Sequence, residues 1–478
     1  MTAPVVVILA GGQGTRMRSA VPKLLHPLCG QPMIDWSIAA ARGAGASKIV
    51  VVDTPERRLA PRLEGDDIVV AVQERALGTA DAVRAAVGEI GADDTVVVLN
   101  GDTPLISAET LSELVRSHQG SGAAATIVTM VLEDPSGYGR VVRAPDETVE
   151  RVAETKAVGD ASELELRIRE VNTGMFAFEG GGLKAALAEV RADNAQGEFY
   201  LPDVIPILRA AERAVLAYEL ADPRQLLQVN DRRQLSEVTA VAQRQIHERH
   251  MLAGVTIVNP LGTVIDAAVE IGQDAVIEPF TSLRGTTRIG AGATIGPQST
   301  LIDAQVGRDS KVLHAYVTGA VVGDRVSVGP FAYLRPGTVL QEGAKAGTFV
   351  EIKNSEVGPG SKVPHLSYIG DADIGEHTNI GAGTITANYD GYRKHRTTIG
   401  SRVKVSVDTA FVAPVTVGDD AYTAAGSVIG DDVPPGALGV ARSRQRNIEG
   451  YAELRAQREA NPSPPSGSAS GSPSESDR

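Results

Sequence analysis

A glycine-rich turn near the amino terminus is the first segment whose residue types could bind a charged ligand. The sequence LAGGQGTR occupies residues 9–16 and is followed by Lys23. Glycines let backbone amides approach phosphate oxygens, and the positive end of a helix beginning there adds to the attraction. Arg16 and Lys23 would then supply charge for a triphosphate, with a purely structural turn as the alternative. The spacing matches neither GxGxxG nor the Walker A loop, which argues against dinucleotide and ATPase sites.

A carboxylate stands at a second position suited to chemistry. Asp102 lies in NGDTP at residues 100–104, directly after an apolar run at 95–99. A carboxylate at the carboxyl end of a strand, facing a phosphate-binding turn, suits Mg²⁺, which takes one or two protein ligands plus substrate phosphates and water. The alternative is an Asx turn before Pro104.

The elements that must position these residues alternate in the first half of the chain. Apolar, β-branched runs predict strands at residues 5–9, 49–52, 68–72 and 95–99. Helical patterns fit between them, and residues 107–118 begin with an N-cap Ser107 and place apolar residues on one face. Alternation predicts a Rossmann-like α/β domain over residues 1–232, with ligands at the carboxyl ends of its parallel strands.

Residues 233–253 predict one amphipathic helix, with Leu235, Val238, Ala242 and Ile246 on one face. At about 1.5 Å per residue it would reach roughly 30 Å, long enough for a linker between domains. A terminal packing helix of the first domain is the other interpretation.

After Gly254 the sequence repeats every six residues. Aliphatic residues recur at Ile265, Ile271, Ile277, Leu283, Ile289, Ile295 and Leu301, and the period resumes at Val322–Ala346, at Val357–Ile369 and at Ile399–Val417. This period indicates a parallel β-helix over residues 254–458, whose stacked coils bury a column of aliphatic side chains. Three hexapeptides per coil give about ten coils and a prism roughly 50 Å long. Residues 386–398 interrupt the repeat as a projecting loop, and the polar residues 459–478 are predicted to be disordered.

Composition excludes several classes of function. The 478 residues carry a net charge of −13, which disfavours nucleic acids and anionic membranes as partners. One cysteine, Cys29, excludes an internal disulfide and a multi-cysteine zinc site and suits a reducing compartment. With no signal peptide and no apolar stretch of 18 residues, we expect a cytoplasmic protein. The 7 Phe, 10 Tyr and 1 Trp leave cores to be built from small aliphatic residues.

Ordered motifs carry a resemblance to a known family. The motifs LAGGQGTRM, LGT at 77–79, NGDTPL at 100–105, GYGR at 137–140, NTG at 172–174, NAQGEFYLPD at 194–203 and VNDR at 229–232 resemble bacterial sugar-1-phosphate nucleotidyltransferases. RPG at 335–337, HLSYIGDADIG at 365–375, NIGAGT at 379–384 and NYDG at 388–391 follow in the repeats. The whole order resembles the bifunctional N-acetylglucosamine-1-phosphate uridyltransferase/glucosamine-1-phosphate N-acetyltransferase family. The resemblance implies a left-handed β-helix and a homotrimer with acetyltransferase sites at subunit interfaces.

The resemblance also implies roles for residues of the first domain. A nucleotide-binding set would hold UTP, with Lys23 on its phosphates and Gln73, Gly78 and Thr79 on the uracil. A second set would contact N-acetylglucosamine, and Asp102 with Asn230 would bind Mg²⁺. The nucleotide and sugar residues are Leu9, Ala10, Gly11, Gly12, Arg16, Lys23, Gln73, Gly78, Thr79, Asn100, Gly139, Glu154, Asn172 and Asn230.

The second domain receives its roles in the same way. His365 is implied as the base that takes the amine proton during acetyl transfer, since its ordinary pKa is about 6.5; a solvated turn histidine is the alternative. The implied sugar-phosphate residues are Arg335, Lys353, Tyr368 and Asn379. The implied acetyl-CoA residues are Ala382, Asn388, Tyr389, Val407, Ala425 and Arg442. Because Cys29 lies outside this domain, we expect direct transfer without a covalent acetyl-enzyme.

Some positions depart from the family pattern. Gly11 replaces Ala, Asn100 replaces an aromatic residue found in some members, Ala80-Asp81 replaces Gly-His, and Val407 replaces Ser. The leading hypothesis is a two-activity enzyme that acetylates glucosamine-1-phosphate with acetyl-CoA and then transfers uridylyl from UTP. Two alternatives stay open at this point: a single-activity nucleotidyltransferase with a structural β-helix, and a structural trimer with a degenerate enzyme domain.

Overall fold

The structure is a computed structural model that describes residues 2–12, 14–63, 65–155, 161–194 and 196–460. All of the predicted tail beyond residue 460 therefore lies outside the described residues. Residues 459–460, predicted to belong to the disordered tail, are instead the last two residues of the helix Tyr451–Ala460.

The first domain is a twisted sheet flanked by helices. Its strands are β1 Val5–Leu9, β2 Pro27–Leu28, β3 Gln31–Pro32, β4 Lys48–Asp53, β5 Ile68–Val72, β6 Thr95–Asn100, β7 Ala125–Val131, β8 Arg140–Arg143, β9 Val149–Ala153, β10 Glu170–Glu179 and β11 Val215–Glu219. Its helices are α1 Met33–Gly43, α2 Thr79–Ala86, α3 Ala108–Ser121, α4 Glu163–Leu166, α5 Gly180–Glu189 and α6 Val204–Ala210. The main sheet has the order β11-β7-β10-β6-β1-β4-β5.

The four predicted strands are β1, β4, β5 and β6, and they pair in parallel. Strand β10 runs antiparallel to both of its neighbours, β6 and β7. The β-branched runs of β1, β4 and β6 are buried because helices cover both faces of the sheet. Helix α3 begins as predicted, since the Ser107 side chain accepts a hydrogen bond from the Thr110 amide.

The second domain is a left-handed parallel β-helix made of very short strands. In chain order they are β12 Thr256–Ile257, β13 Val264–Ile265, β14 Glu270–Ile271, β15 Val276–Ile277, β16 Ser282–Arg284, β17 Arg288–Ile289, β18 Thr294–Ile295, β19 Thr300–Ile302, β20 Gln305–Val306, β21 Lys311–Val312, β22 Ala315–Thr318, β23 Val321–Val322, β24 Ser327–Val328, β25 Ala332–Leu334, β26 Val339–Leu340, β27 Lys345–Thr348, β28 Glu351–Lys353, β29 Glu356–Val357, β30 Lys362–His365, β31 Tyr368–Gly370, β32 Ala372–Ile374, β33 Ile385–Ala387, β34 Thr397–Ile399, β35 Ala410–Val412, β36 Val415–Val417, β37 Tyr422–Thr423, β38 Val428–Ile429 and β39 Leu438–Gly439.

Successive strands contribute to three flat faces. The first face is the sheet from β12 to β30, the second is the ten-stranded sheet from β13 to β38, and the third is the sheet from β14 to β36. The aliphatic side chains of the hexapeptide repeat point inward, and all but one are at most 4% exposed. The exception is Ile271 in the first coils, which is half-buried. The ten strands of the second face agree with the predicted ten coils.

Glycine between the coils has a steric cause. A Cβ on Gly290 would lie 2.7 Å from the Arg308 backbone nitrogen of the next coil. A Cβ on Gly272 would lie 2.6 Å from the Ala291 nitrogen. Stacking at the spacing of hydrogen-bonded strands therefore excludes any larger residue at these two positions.

Helix α7 (Arg232–Leu252) joins the two domains, close to its predicted bounds. Gln243 on α7 donates to the Ile265 carbonyl (2.7 Å) and accepts from the Ile265 amide (3.0 Å). The Cys29 carbonyl of the first domain accepts from the Ala267 amide (2.9 Å). The helix thus packs on the first coils while the first domain touches the same coil directly. Within the ranges given above, the structure contains no helix with the length and apolar character needed to span a membrane.

Candidate active sites

The glycine-rich turn at residues 9–16 opens into a cleft at the carboxyl ends of β1, β5 and β6. One part of the cleft has a volume of about 330 Å³, and a neighbouring part of about 460 Å³ shares the turn and Gln73 with it. The predicted residues that line the 330 Å³ part are Leu9, Ala10, Gly11, Gly12, Lys23, Gln73, Gly78, Thr79, Asn100 and Asp102. Arg16 lies outside this part, in a separate surface cavity beside Arg18, Arg232 and Arg233. The parallel strands thus bring ten of the predicted residues to one cleft, and Arg16 is not among them.

Lys23 is the polar centre of this cleft. Its Nζ lies 2.7 Å from Asp102 Oδ2 and 3.3 Å from Asn230 Oδ1. The Val229 amide donates to the Asp102 carbonyl (2.9 Å), which brings the start of α7 beside the end of β6. Gly14 has a φ of +62°, and a Cβ there would lie 2.7 Å from Lys23 Cβ. The turn therefore needs glycine at this position to let Lys23 reach the carboxylate.

The same atoms meet the requirements of a Mg²⁺ site. One carboxylate oxygen and one amide oxygen, from Asp102 and Asn230, converge on a single cation, the Lys23 ammonium. Hard oxygen donors in this small number are what Mg²⁺ takes from a protein when substrate phosphates complete its shell. Among the described residues no cluster of three or more His, Cys, Asp or Glu forms a metal site. The donor set thus fits a metal bound together with substrate.

Gln73 stands at the wall of the cleft, 7% exposed. Its Nε2 donates to the Gly78 carbonyl (3.1 Å) and to Asp81 Oδ2 (2.9 Å). Thr79 Oγ1 accepts a hydrogen bond from the Leu201 amide (2.9 Å). This bond connects the start of α2 to the segment at residues 194–203. Gly78, with a φ of +116°, lies against the Phe199 backbone, where a side chain would collide. Asp81, one of the departures from the family pattern, therefore contacts the cleft only through its hydrogen bond with Gln73.

The predicted sugar residues converge at the other end of the cleft. The Gly139 carbonyl accepts from the Asn172 amide (2.8 Å), and a Cβ on Gly139 would lie 3.5 Å from Glu154 Oε1. Glu154 and Tyr200 line an adjoining cavity of about 220 Å³, and Tyr200 also lines the main cleft. Tyr200 was not among the predicted site residues, although it lies in a motif that carried the resemblance. The sequence could not show that Tyr200 lines both cavities, because this depends on how its loop packs against the sheet.

The second site gathers at the corner between the second and third faces, which we call the lysine corner. Strand register stacks Arg335, Lys353 and Gly370 in successive coils. Lys353 Nζ lies 3.5 Å from Asp371 Oδ2, and Arg335 donates to Glu351 Oε1 (2.8 Å). The absent side chain of Gly370 leaves room for the hydroxyl of Tyr368, which is adjacent.

Asp371 organises the lysine corner. It accepts hydrogen bonds from Asn354 Nδ2 (2.6 Å) and from Asn388 Nδ2, so the projecting loop is tied to the coil before it. Burial alone would raise the pKa of Asp371, but these bonds and the charge of Lys353 hold it below its usual value. Neither Asp371 nor Asn354 was predicted, because their proximity to Asn388 depends on how the loop folds back.

Lys394, also not predicted, extends from the projecting loop to Lys353. The hydrogen bond and the positive charge of Lys353 lower the pKa of the Lys394 amine. Two lysine amines this close, with the Arg335 guanidinium nearby, form a site suited to a phosphate dianion, which would favour the protonated form of both amines. Strands β33 and β34 shorten the loop itself to residues 388–396.

His365 lies at a different corner, between the first and second faces, which we call the histidine corner. The strand register places Ala382, Val407 and Ala425 below His365, one in each successive coil. The coils are joined here by hydrogen bonds from the Asp408 amide to the Ala382 carbonyl (2.8 Å) and from the Gly426 amide to the Val407 carbonyl (3.0 Å). The predicted base and three predicted acetyl-CoA residues thus form one exposed column. Asn379 lies on the first face beside this column.

The two corners of one chain do not meet. Residues 366–369 separate His365 from Gly370, the register partner of Lys353. Five steps of about 3.3 Å would span roughly 16 Å if fully extended, and the turn at Leu366 shortens this distance.

Arg442 is exposed and follows Ala441, which is hydrogen-bonded to Ser427 and Val428, close to Ala425 at the end of the column. Tyr389 is exposed and lies on the projecting loop at the lysine corner, away from the column. The resemblance assigns these residues to one site at a subunit interface, and within one chain the fold distributes them over two corners.

The fold and the two groups of residues define a transferase that joins a nucleotide-binding α/β domain to a hexapeptide-repeat β-helix. Residues 6–167 match the MobA-like NTP transferase domain. Proteins named bifunctional protein GlmU are similar over nearly the whole chain: 51% identical in Streptomyces avermitilis over 93% of both chains, 50% in Mycolicibacterium vanbaalenii over 93% and 92%, and 49% in Kineococcus radiotolerans over 93% and 91%.

The chain belongs to the GlmU family of bifunctional proteins. It is an enzyme of UDP-N-acetylglucosamine synthesis with uridyltransferase and acetyltransferase activities. The single-activity and scaffold alternatives left open by the sequence are thereby set aside.

Proposed function

We propose that the cleft of the first domain carries out uridylyl transfer and that the corners of the β-helix carry out acetyl transfer. Acetyl-CoA and glucosamine-1-phosphate would give N-acetylglucosamine-1-phosphate, which with UTP would give UDP-N-acetylglucosamine and pyrophosphate. The observation that carries the first assignment is the convergence of Lys23, Asp102 and Asn230 at the phosphate-binding turn. For the second it is the column that begins at His365, with the cationic lysine corner on the same face.

Uridylyl transfer needs positioning and charge neutralisation more than a side-chain nucleophile. The sugar phosphate oxygen attacks the α-phosphorus of UTP while pyrophosphate leaves, and Gly139, Glu154 and Asn172 orient the sugar. Lys23 forms an ion pair with Asp102. When nucleotide binds, Lys23 can turn to its phosphates, where Arg16 contributes a second charge at the far side of the turn.

Asp102 and Asn230 would hold Mg²⁺ with the substrate phosphates. Bound there, the metal would neutralise charge on the transferring and leaving phosphates. Lys23 and the metal thus compete for the same carboxylate before substrate arrives.

Acetyl transfer requires an unprotonated amine. The sugar amine attacks the thioester carbonyl, the carbon–sulfur bond breaks, CoA leaves as thiolate, and the histidine imidazole takes the amine proton. Arg335, Lys353 and Lys394 supply charge for the sugar phosphate, and Tyr368 lies beside them. The buried thiol of Cys29 is in the other domain, which favours direct transfer.

A homotrimer through the β-helix would complete this site. His365 and Lys353 of one chain are too far apart to act on one small sugar, so the lysine corner of one subunit would face the histidine corner of another. Exposed apolar residues line the histidine corner: Phe280 (62%), Phe331 (54%), Phe349 (58%) and Leu366 (62%). The Phe331 and Phe349 rings stack 5.3 Å apart. Burying such a ridge against a second copy is favourable.

The proposed division of the chain follows the predicted one: residues 1–232 for uridylyl transfer, a linker helix at 233–253 and an acetyltransferase domain at 254–458. Helix Tyr451–Ala460 ends the last unit and is not a repeat. Because UTP and acetyl-CoA are metabolites of the cell interior, we place the enzyme in the cytoplasm.

Two assays on separate variants test the assignment. Thiol release from acetyl-CoA should be lost in His365→Ala and retained in Asp102→Ala, and pyrophosphate release from UTP should show the reverse. Retention of full acetyl transfer in His365→Ala would show that another group is the base. Loss of both activities in either variant, with unchanged thermal unfolding, would contradict two separate sites.

A further inference from the structure

Asp81 lies behind the cleft rather than in its wall. It is in the first turn of α2 and touches Gln73, whose amide group faces the cleft. The main cleft and its neighbouring part are lined by Gln73 but not by Asp81. Asp81 lines a separate surface cavity on the other side of Gln73. Gln73 thus lies between Asp81 and the main cleft, and it is the side chain through which Asp81 can act on a ligand there.

The surroundings of Gln73 fix which way its amide points. Two acceptors, Asp81 Oδ2 (2.9 Å) and the Gly78 carbonyl (3.1 Å), flank one side of the group. Neither atom can donate a proton when Asp81 is ionised, so both hydrogens of the Gln73 amide must be directed to that side. The opposite orientation would place the Gln73 oxygen against a carboxylate.

The Gln73 oxygen consequently points to the ligand side. A Cβ on Gly11 would lie only 2.9 Å from Gln73 Oε1, so the oxygen faces the phosphate-binding turn, and glycine leaves it the space it needs. No protein donor bonds this oxygen within the described residues. An acceptor without a protein partner at the wall of the cleft is available to a donor from the ligand.

We propose that Asp81 is a positioning residue that sets the base preference of the enzyme. With Asp81 in place, the site selects a base with an N–H donor at its pairing edge, as uracil has, over a base with an acceptor at that edge, as cytosine has. Uracil N3–H can donate to a carbonyl oxygen, whereas N3 of cytosine is itself an acceptor. A rotated Gln73 amide would present its NH₂ group and suit cytosine. The two departures from the family pattern, Gly11 and Asp81, thus act on one side chain. This inference rests on the proposed binding of uracil at Gln73.

Asp81→Asn tests the proposal, because asparagine can either accept from or donate to Gln73 and so permits both orientations. We expect the ratio of kcat/KM for UTP to that for CTP to fall about tenfold, the effect of one hydrogen bond. The loss should lie mainly in UTP, with CTP unchanged or improved, and the ratio of Kd values for UMP and CMP should shift in the same direction. Glu109→Gln is the matched control, because it removes a first-turn carboxylate from α3, remote from the cleft.

If Asp81→Asn loses activity equally with UTP and CTP, or loses none, the ratio of their kcat/KM values is unchanged. Asp81 then has only a structural role, and the proposal is overturned. Gln73→Ala separates this failure from failure of the base assignment itself. If Gln73→Ala removes the preference for UTP while Asp81→Asn keeps it, only the positioning role is wrong. If Gln73→Ala leaves both nucleotides unaffected, uracil does not bind at Gln73 and the proposed function fails at this point.

Discussion

Lys23 and Asp102 form an ion pair of 2.7 Å across 79 positions of sequence, in a cleft where both side chains are largely buried. Asn230 shares the same ammonium group at 3.3 Å. Removing Lys23 therefore exposes an uncompensated carboxylate to any available cation. The same removal deprives the nucleotide phosphates of a charge.

Lys23→Ala should consequently have two opposite effects. Uridylyl transfer should fall about 10²-fold in kcat/KM, as expected for loss of one preorganised charge at a transition state. Binding of Mn²⁺ to the substrate-free protein, measured by electron paramagnetic resonance, should become tighter. Asp102→Asn should weaken Mn²⁺ binding, and both variants should retain acetyl transfer. Weaker Mn²⁺ binding in Lys23→Ala would contradict competition for Asp102.

The separation of His365 from Lys353 predicts complementation between subunits. Neither His365→Ala nor Lys353→Ala alone should transfer acetyl groups. If each site takes the two residues from different chains, random trimers refolded from an equal mixture should regain activity in about one quarter of their sites. The measurement is thiol release before and after mixing.

A mixture of His365→Ala with Arg335→Ala should behave in the same way, since Arg335 and Lys353 share one corner. A mixture of Arg335→Ala with Lys353→Ala should stay inactive, because every site then lacks one cation. Absence of recovery in the first two mixtures, with trimers formed, would place the whole site within one chain.

The parts of the molecule that follow from local periodicity were predictable. The six-residue repeat specifies the β-helix because each aliphatic position, such as Leu283 or Val363, is buried by the same geometry in every coil. The cleft was predictable from the ends of β1 and β6, which are followed by the glycine-rich turn and by Asp102. Contacts that depend on an irregular segment were not: Lys394 reaches Lys353 only because the loop at 388–396 folds back.

Lys394 should act as a third cation for the sugar phosphate. Lys394→Ala should raise KM for glucosamine-1-phosphate about tenfold, as expected for one charged hydrogen bond, with a smaller effect on kcat. Uridylyl transfer should not change. Arg393→Ala removes the neighbouring positive charge from the same loop and provides the control. An equal rise in KM in both variants would indicate a general effect of loop charge rather than a contact by Lys394.

The junction between the domains should respond to acid through His250. Burial, with the charge of Arg249 and the adjacent His247, lowers the pKa of His250 to about 4. In the unfolded chain the ordinary pKa is about 6.5, so between about pH 6.5 and 4 the unfolded state binds more protons than the folded state. Its contribution to stability is therefore complete above about pH 6.5 and is lost as the pH falls through this window.

His250→Gln, which does not titrate, should reduce the acid-induced fall in Tm. Between pH 7 and pH 4.5 we expect a fall about 2–4 °C smaller than in the wild type, which corresponds to roughly 1 kcal/mol in a domain of this size. His377→Asn replaces an exposed histidine on the β-helix and is the control. Burial also lowers the pKa of His247, so part of the pH dependence should remain in His250→Gln. A pH dependence equal to that of His377→Asn would show that His250 does not link protonation to the stability of the junction.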